Sequence, residues 1–379
     1  MIDITKKTFL WGIIGLIILR FVLVILFMNN IPFTDMREGG FRPNFGGSYW
    51  PDEVHYFELA QSFSKFSPVA NVANIGYPLF LVPIIYFTGA TGPEGIAKII
   101  FIIQAFLFFG TAIVLVALIA KEIFKNRKLA LLVALIFTFY PYVLFGVLGL
   151  ASFPRAIPAF HYQMWINIGA DYLSTVLLYS GFYLFIKKFK ENKLSFFSVG
   201  AIGFLFAAAA LTRVANILYL PLIFLTLIWI KKYRESFVFG ATSFLVYLPQ
   251  WIYNFYFFGS SLTYGYRIQE LSGHGSETEV IGGWLSLHNV YIFFDHIWLN
   301  LPVLIWILPI IIVILILGFW RIFKAEKILA ITLLFWALLN IGFYIFFVDA
   351  QSQLRYFIPS IPPLIVLLFL GIKKIYESR

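Results

Sequence analysis

The sequence predicts an all-α, polytopic membrane protein of about ten transmembrane helices, with interfacial helices in a long first outer loop. Three observations predict it. Of 379 residues, 61% are hydrophobic and only 12% charged, where a soluble domain carries about 45–50% and about 25%. Apolar runs of the roughly 20 residues that a spanning helix needs recur along the chain. Short basic clusters separate many of those runs, which is the pattern of cytoplasmic loops. The composition excludes an ordinary cytosolic protein and a disordered chain alike.

The first run, Phe9–Met28, follows Lys6 and Lys7 and has no small-residue cleavage site, so it reads as a retained helix and not a cleaved signal. Further runs near 97–120, 129–150, 171–186, 195–211, 214–230, 237–258, 300–319, 328–348 and 357–372 complete the set. The stretch 77–89 (YPLFLVPIIYFTG) contains Pro78 and Pro83. At about 1.5 Å per residue it falls short of a hydrocarbon core of roughly 30 Å, so it is predicted to be interfacial or re-entrant. Counting it as a span would turn every later basic loop outward. Left out, it puts the clusters at 121–128, 187–193, 231–234, 321–327 and 373–379 on the cytoplasmic side with both termini. The expected organisation is one transmembrane domain over 1–379 in the cell membrane, with large outer loops at 29–96 and 259–298.

The acidic residues sort the other way. Asp35, Glu38, Asp52, Glu53, Glu58, Glu94, Asp171, Glu270, Glu277, Glu279, Asp295 and Asp349 all face outward in this topology. The cytoplasmic loops are short and basic, so chemistry is expected on the outer face. The absence of cysteine removes disulfides, thiolate metal sites and cysteine nucleophiles. The net charge of +10 is spread over the turns between apolar runs. No basic face for nucleic acid is therefore expected, and the surrounding partner is membrane lipid.

Residues 48–65 read SYWPDEVHYFELAQSFSK. Pro51 suits a first helical position, and Asp52 and Glu53 then fall in the first turn against the positive end of the helix dipole. Val54, Phe57 and Ala60 or Gln61 share one side, and Asp52, His55, Tyr56 and Leu59 another, as in a short amphipathic helix lying on a membrane. The acidic pair has two readings. One is a favourable helix start; the other is a general-base site beside His55 and Tyr56.

The string PDEVHYFELAQ resembles the first-loop Asp-Glu motif of the GT-C superfamily of membrane glycosyltransferases. It is especially similar to protein O-mannosyltransferases and to the aminoarabinose transferases that modify lipid A. GYPLFLVP resembles the short Pro-rich segment that follows the motif in those enzymes. ALTRVANILYLP (210–221), LPQWIYNFYFFG (248–259) and RYFIPSIPPL (355–364) resemble later stretches of the superfamily, in the same order. The resemblance implies an inverting glycosyltransferase that moves a sugar from a polyprenyl-phosphate donor to a hydroxyl of a lipid, glycan or protein acceptor. Asp52 would take the acceptor proton, Glu53 would orient base or acceptor, and His55 and Tyr56 would line the substrate. A lipid-linked donor fits a chain with no Gly-rich phosphate loop before a helix and no Asp-x-Asp. No cofactor is assigned, and dependence on a divalent metal is left open. No soluble domain follows the tenth helix, which tilts the expected acceptor toward lipid or glycan.

The resemblance also places an acidic residue of the second outer loop near the site, which here is Asp171. The bland reading of Asp171 is an N-terminal helix acid. The expected O-mannosyltransferase pattern Arg-x-x-x-x-Asp is missing from this loop. Arg213, in the tight turn between the fifth and sixth helices, either meets the departing phosphate or pairs with Asp171 or Asp349. Arg355 carries the same two readings, and Arg155 and His161 are further phosphate candidates. Arg20, inside the first helix, is expected to pair with a buried polar group. His274, His288 and His296 match no metal-ligand spacing; the Gly-rich stretch GHGSETEVIGG reads as a lid over the acceptor, and Trp284, Tyr291 and Trp298 as an aromatic belt. Two other functions compete with transfer: a flippase or transporter of lipid-linked sugars, and a polysaccharide polymerase or ligase.

Overall fold

A computed structural model describes residues 3–30, 51–71, 73–150, 165, 168–262, 302–345 and 353–377. The side chains of 27–30, 51–52, 144–150, 302–307 and 353–355 lie outside that description. All regular structure among the described residues is helical. In chain order it comprises α1 (Lys6–Asn30), α2 (Pro51–Ser64), α3 (Gly76–Thr88) and α4 (Glu94–Ile102). A π-helical turn, Ile103–Phe108, joins α4 to α5 (Phe109–Phe124). Then come α6 (Arg127–Leu150), α7 (Ala170–Lys190) and α8 (Phe196–Thr212). A 3₁₀ turn, Val214–Leu218, leads into α9 (Tyr219–Trp229), followed by α10 (Tyr233–Phe258), α11 (Pro302–Ala325) and α12 (Lys327–Ile345). A second 3₁₀ segment, Gln353–Ser360, precedes α13 (Ile361–Glu377). The described residues of the ten apolar runs are almost all helical.

Among the described residues, five helical stretches are long and apolar enough to cross a membrane: Lys6–Leu26, Glu94–Phe124, Leu308–Ala325, Lys327–Ile345 and Tyr356–Glu377. The 13 residues of α3 are apolar but shorter. Large apolar side chains face outward all round the bundle. Trp11, Phe197, Leu225, Phe244 and Ile310 are each more than half exposed, a surface suited to lipid and not to water.

The hairpin turns are tight and have identifiable causes. Lys125, Asn192 and Lys231 each take a left-handed conformation that reverses the chain between α5 and α6, α7 and α8, and α9 and α10. Asn126 Oδ1 then accepts from the Leu129 N–H at 2.9 Å, starting α6. Ser195 and Ser198 form a reciprocal capping box at the start of α8.

The basic turns collect at one end. Arg127 pairs with Asp3 at 3.4 Å, tying the α5–α6 turn to the N-terminus. Lys190 reaches Glu326 at 3.1 Å and donates to the Glu122 carbonyl, joining the turns after α7, α11 and α5. Arg321 meets Glu377 at 2.7 Å, near the end of α13. Exposed ion pairs of this kind contribute about 0–1 kcal/mol each; their value here is that they mark which turns are neighbours.

Packing divides the interior in two. The larger core runs through α5 to α9, α12 and α13, and includes Phe182 stacked on Trp336 at 3.9 Å. A smaller core joins α2, α3 and α4 through Tyr56, Phe57, Leu59, Tyr77, Leu81 and Ile96. Residues on both expected sides of α2 are buried, Phe57 and Ala60 on one and Tyr56 and Leu59 on the other. The helix is therefore wedged into protein more than its predicted amphipathic pattern implied.

The crossing of α11 and α13 allows no side chain at its centre. A Cβ on Gly318 would run into the Leu367 carbonyl, and one on Gly371 into the Ile314 carbonyl. Gly318→Val should therefore destabilise the protein by about 1–3 kcal/mol or more, the usual cost of overpacking. A lowered unfolding midpoint in detergent, against no change for Gly15→Val on an open face of α1, checks it.

Candidate functional site

Glu53 lies in the first turn of α2 and is 3% exposed, an unusual place for a carboxylate. Tyr56, one turn on, packs edge-on against Tyr77 with ring centroids 5.0 Å apart. The Tyr77 hydroxyl meets the Gln104 amide, which also donates to the Gly169 carbonyl at 3.2 Å. Burial raises the Tyr77 pKa above the phenol range; the Gly169 backbone opposes the rise, the nearby Glu53 carboxylate adds to it, and the Gln104 bond opposes it. The phenol stays protonated beside Glu53.

Gly169 caps the start of α7, and Asp171 follows in its first turn with a side chain 7% exposed. Its carboxylate pairs with Arg213. Arg213 ends α8 in an extended conformation. Its Nε donates to the Tyr344 hydroxyl at 2.8 Å, and its guanidinium lies 4.0 Å from the centre of the Tyr356 ring. Tyr344 and Tyr356 stack on each other at 4.2 Å. The Asn340 amide holds the Tyr356 carbonyl, and Tyr179 donates to the Ile358 carbonyl at 2.6 Å, so the 3₁₀ segment is fixed from two sides. A polar path thus runs from Glu53 through Tyr77, Gln104 and Gly169 to Asp171, Arg213 and the tyrosine pair.

The first-loop unit is seated on this path by contacts with α8 and α10. A Cβ on Gly76 would come within 2.6 Å of the Leu211 and Thr212 backbone, so only glycine lets α3 begin directly against the end of α8. Tyr253 donates to the Val69 carbonyl at 2.8 Å and accepts from the Asn71 N–H at 2.9 Å. Gln250 accepts from the Ile75 N–H at 2.9 Å and donates to Asn254, which in turn donates to the Ser261 carbonyl. The polar residues of LPQWIYNFYFFG clamp the strap between α2 and α3.

The expected site residues separate accordingly. Glu53 and Tyr56 meet at Tyr77, Asp171 pairs with Arg213, and Gln104 links the two groups through Tyr77 and Gly169. Arg213 has the ion-pair partner foreseen in Asp171, while Asp349 lies outside the described residues. His55 does not join them: its Nδ1 is 3.9 Å from the Glu58 carboxylate one turn on, and its carbonyl accepts from Asn71. Asp52 and Arg355 are placed by their backbones, on α2 and beside Tyr356, with side chains outside the description. Arg155, His161, His274, His288, His296 and the acidic and aromatic residues of the Gly-rich loop also lie outside the described residues. Arg20 is buried, with its guanidinium 4.0 Å over the Phe109 ring and donating to the Tyr142 hydroxyl at 3.2 Å. No cluster of three metal-ligating side chains occurs among the described residues.

Tyr77, Gln104, Gln250, Asn254 and Tyr344 were not singled out from the sequence. The available signal was chemical: Gln104 is a lone amide in IIFIIQAFLFFG, and a polar group at such depth has to be hydrogen-bonded.

Removing one partner of a buried ion pair strands the other charge and costs about 3–5 kcal/mol. Arg213→Met should therefore destabilise the protein strongly, and Arg213→Met with Asp171→Leu should recover much of the loss. Denaturant or thermal unfolding of the purified protein reads both. No protein-family model matches the chain, and no curated protein matches it either.

Proposed function

We propose that the protein is a membrane glycosyltransferase of GT-C type, which transfers a sugar from a polyprenyl-phosphate donor to an acceptor hydroxyl with inversion at the anomeric carbon. The observation that carries this reading is the buried polar path. It brings the Asp-Glu helix of the first loop into one constellation with an acid of the next outer loop and an arginine from the α8–α9 turn. That is the combination of base and cation that such a displacement needs.

In this reading Asp52 accepts the acceptor proton as its oxygen attacks the anomeric carbon, and the C–O bond to phosphate breaks. Glu53, held beside Tyr77, orients the acceptor. Arg213, kept in place by Asp171 and Tyr344, and Arg355 balance the charge of the departing phosphate. That group leaves as an anion and needs no acid. An apolar groove of about 240 Å³ between α9 and α10, lined by Ile217, Leu220, Phe224, Phe244 and Trp251, opens near the Arg213 turn. It suits the isoprenoid chain of the donor.

The topology proposed with this function has ten spans, with α3 interfacial or re-entrant. Those ten include α8, at about 26 Å, and α9 with its 3₁₀ lead-in, also about 26 Å. The end that gathers the basic turns is the cytoplasmic one. The site then faces outward.

Incubation of the protein in nanodiscs with a panel of polyprenyl-phosphate sugars, followed by mass spectrometry, tests the function. Asp52→Asn should lower transfer by about 10²–10⁴-fold, the contribution of a positioned general base. Full transfer by that variant would remove Asp52 from the role. Movement of labelled lipid-linked sugar across the bilayer with no covalent product would favour a flippase instead.

A further inference from the structure

The amide of Gln104 is fully buried in an apolar helix, and its placement depends on the π-helical turn Ile103–Phe108. A π turn inserts an extra residue, which rotates the downstream helix relative to a regular α-helical continuation, and such turns recur at functional sites. Here Gln104 meets two groups from distant parts of the chain. Its Nε2 donates to the Tyr77 hydroxyl of the first-loop unit and to the Gly169 carbonyl at the start of α7. The second bond fixes the orientation of the amide, because a carbonyl can only accept. With its oxygen accepting from Gln104, Tyr77 has its own proton left to donate.

The amide oxygen, by contrast, has no hydrogen-bond partner. A residue present only to fill this space would be better apolar, since a buried, unsatisfied carbonyl is unfavourable. The useful property of Gln104 is its pair of donors. They bridge Tyr77, next to Glu53, and Gly169, two residues before Asp171.

We propose that Gln104 is a positioning residue, which holds Glu53, and with it the start of α2, at a fixed distance and orientation from the Asp171–Arg213 pair. It acts through Tyr77 and Gly169. The proposal rests on the transferase reading only for its catalytic consequence; the bridge itself is independent of what the site does.

The chain has no cysteine, so Glu58→Cys on α2 and Lys188→Cys on α7 can be spin-labelled as a pair in the full-length protein and their distance distribution measured. Gln104→Met keeps the volume and removes both donors. It should broaden a narrow distribution and lower kcat by about 100-fold, as expected for misplacement by about 1 Å, with KM changed by no more than about threefold. Gln104→Asn, which keeps the amide but shortens its reach, is read by the same criteria should Gln104→Met fail to fold. Tyr77→Phe should lower kcat similarly, and the Tyr77→Phe/Gln104→Met double variant should be no slower than the poorer single one, since both break one bridge.

An unchanged distribution with kcat within about twofold of the parent would overturn the proposal, as would losses that multiply in the double variant. If the parent turned over no polyprenyl-phosphate sugar while Gln104→Met still broadened the distribution, the transferase reading would fall and the bridge would stand.

Discussion

A polar group inside an apolar bundle must find a partner within the protein, and the arrangement at this end of the molecule follows from that requirement. Asp171 and Arg213 are the severest case. Each is buried to a degree that would be very costly for an isolated ion. Their pairing fixes the start of α7 against the end of α8, and the tyrosines around Arg213 extend the constraint to α12 and the 3₁₀ segment before α13. Four separate stretches of chain are thereby set in one register.

The same requirement explains the seat of the first-loop unit. Val69, Asn71 and Ile75 have backbone groups outside any helix ladder, and Tyr253 and Gln250 of α10 supply their partners. Gly76 then lets α3 start against the α8 backbone. The carboxylate of Glu53 reaches the polar path because α2 is held on α3, and α3 on α8 and α10. A loop helix merely floating on a membrane surface would offer no such definition.

Much of this was legible in the sequence. The apolar runs are helical almost wherever they are described, and five helical stretches among the described residues are long and apolar enough to cross a membrane, because an uninterrupted apolar run satisfies its own backbone as a helix. Ion pairs and a hydrogen bond make neighbours of the 121–128, 187–193 and 321–327 clusters and tie 321–327 to the end of α13. Asp171 as a partner of Arg213 was one of two named options. His55 was less legible: closeness to Glu53 in sequence does not carry to space, since positions two apart on a helix point to nearly opposite sides. The sides of α2 were blurred for another reason. Its sequence pattern records which residues avoid water, whereas both of its flanks are buried by α3 and the strap. Gln104 was missed because periodicity weighs an amide in an apolar run as a single exception, while the hydrogen-bond requirement makes that exception the informative residue.

This bears on how motifs in such chains are to be read. In LPQWIYNFYFFG, the polar side chains Gln250, Tyr253 and Asn254 all act on backbone or on one another, at a clamp and not at a reacting atom. In ALTRVANILYLP, Arg213 is engaged by Asp171 and Tyr344 before any ligand arrives. A resemblance spread over such strings can therefore report a shared way of assembling a site as much as shared contacts with substrate. The distinction has a physical consequence. A cation already paired in a dry interior changes little on its own when a phosphate approaches, so its contribution is a preset field. A flexible surface lysine would first have to be ordered. In the proposed function, clamp and charge pair together set that field before substrate binds, and the first-loop unit brings Glu53 toward it.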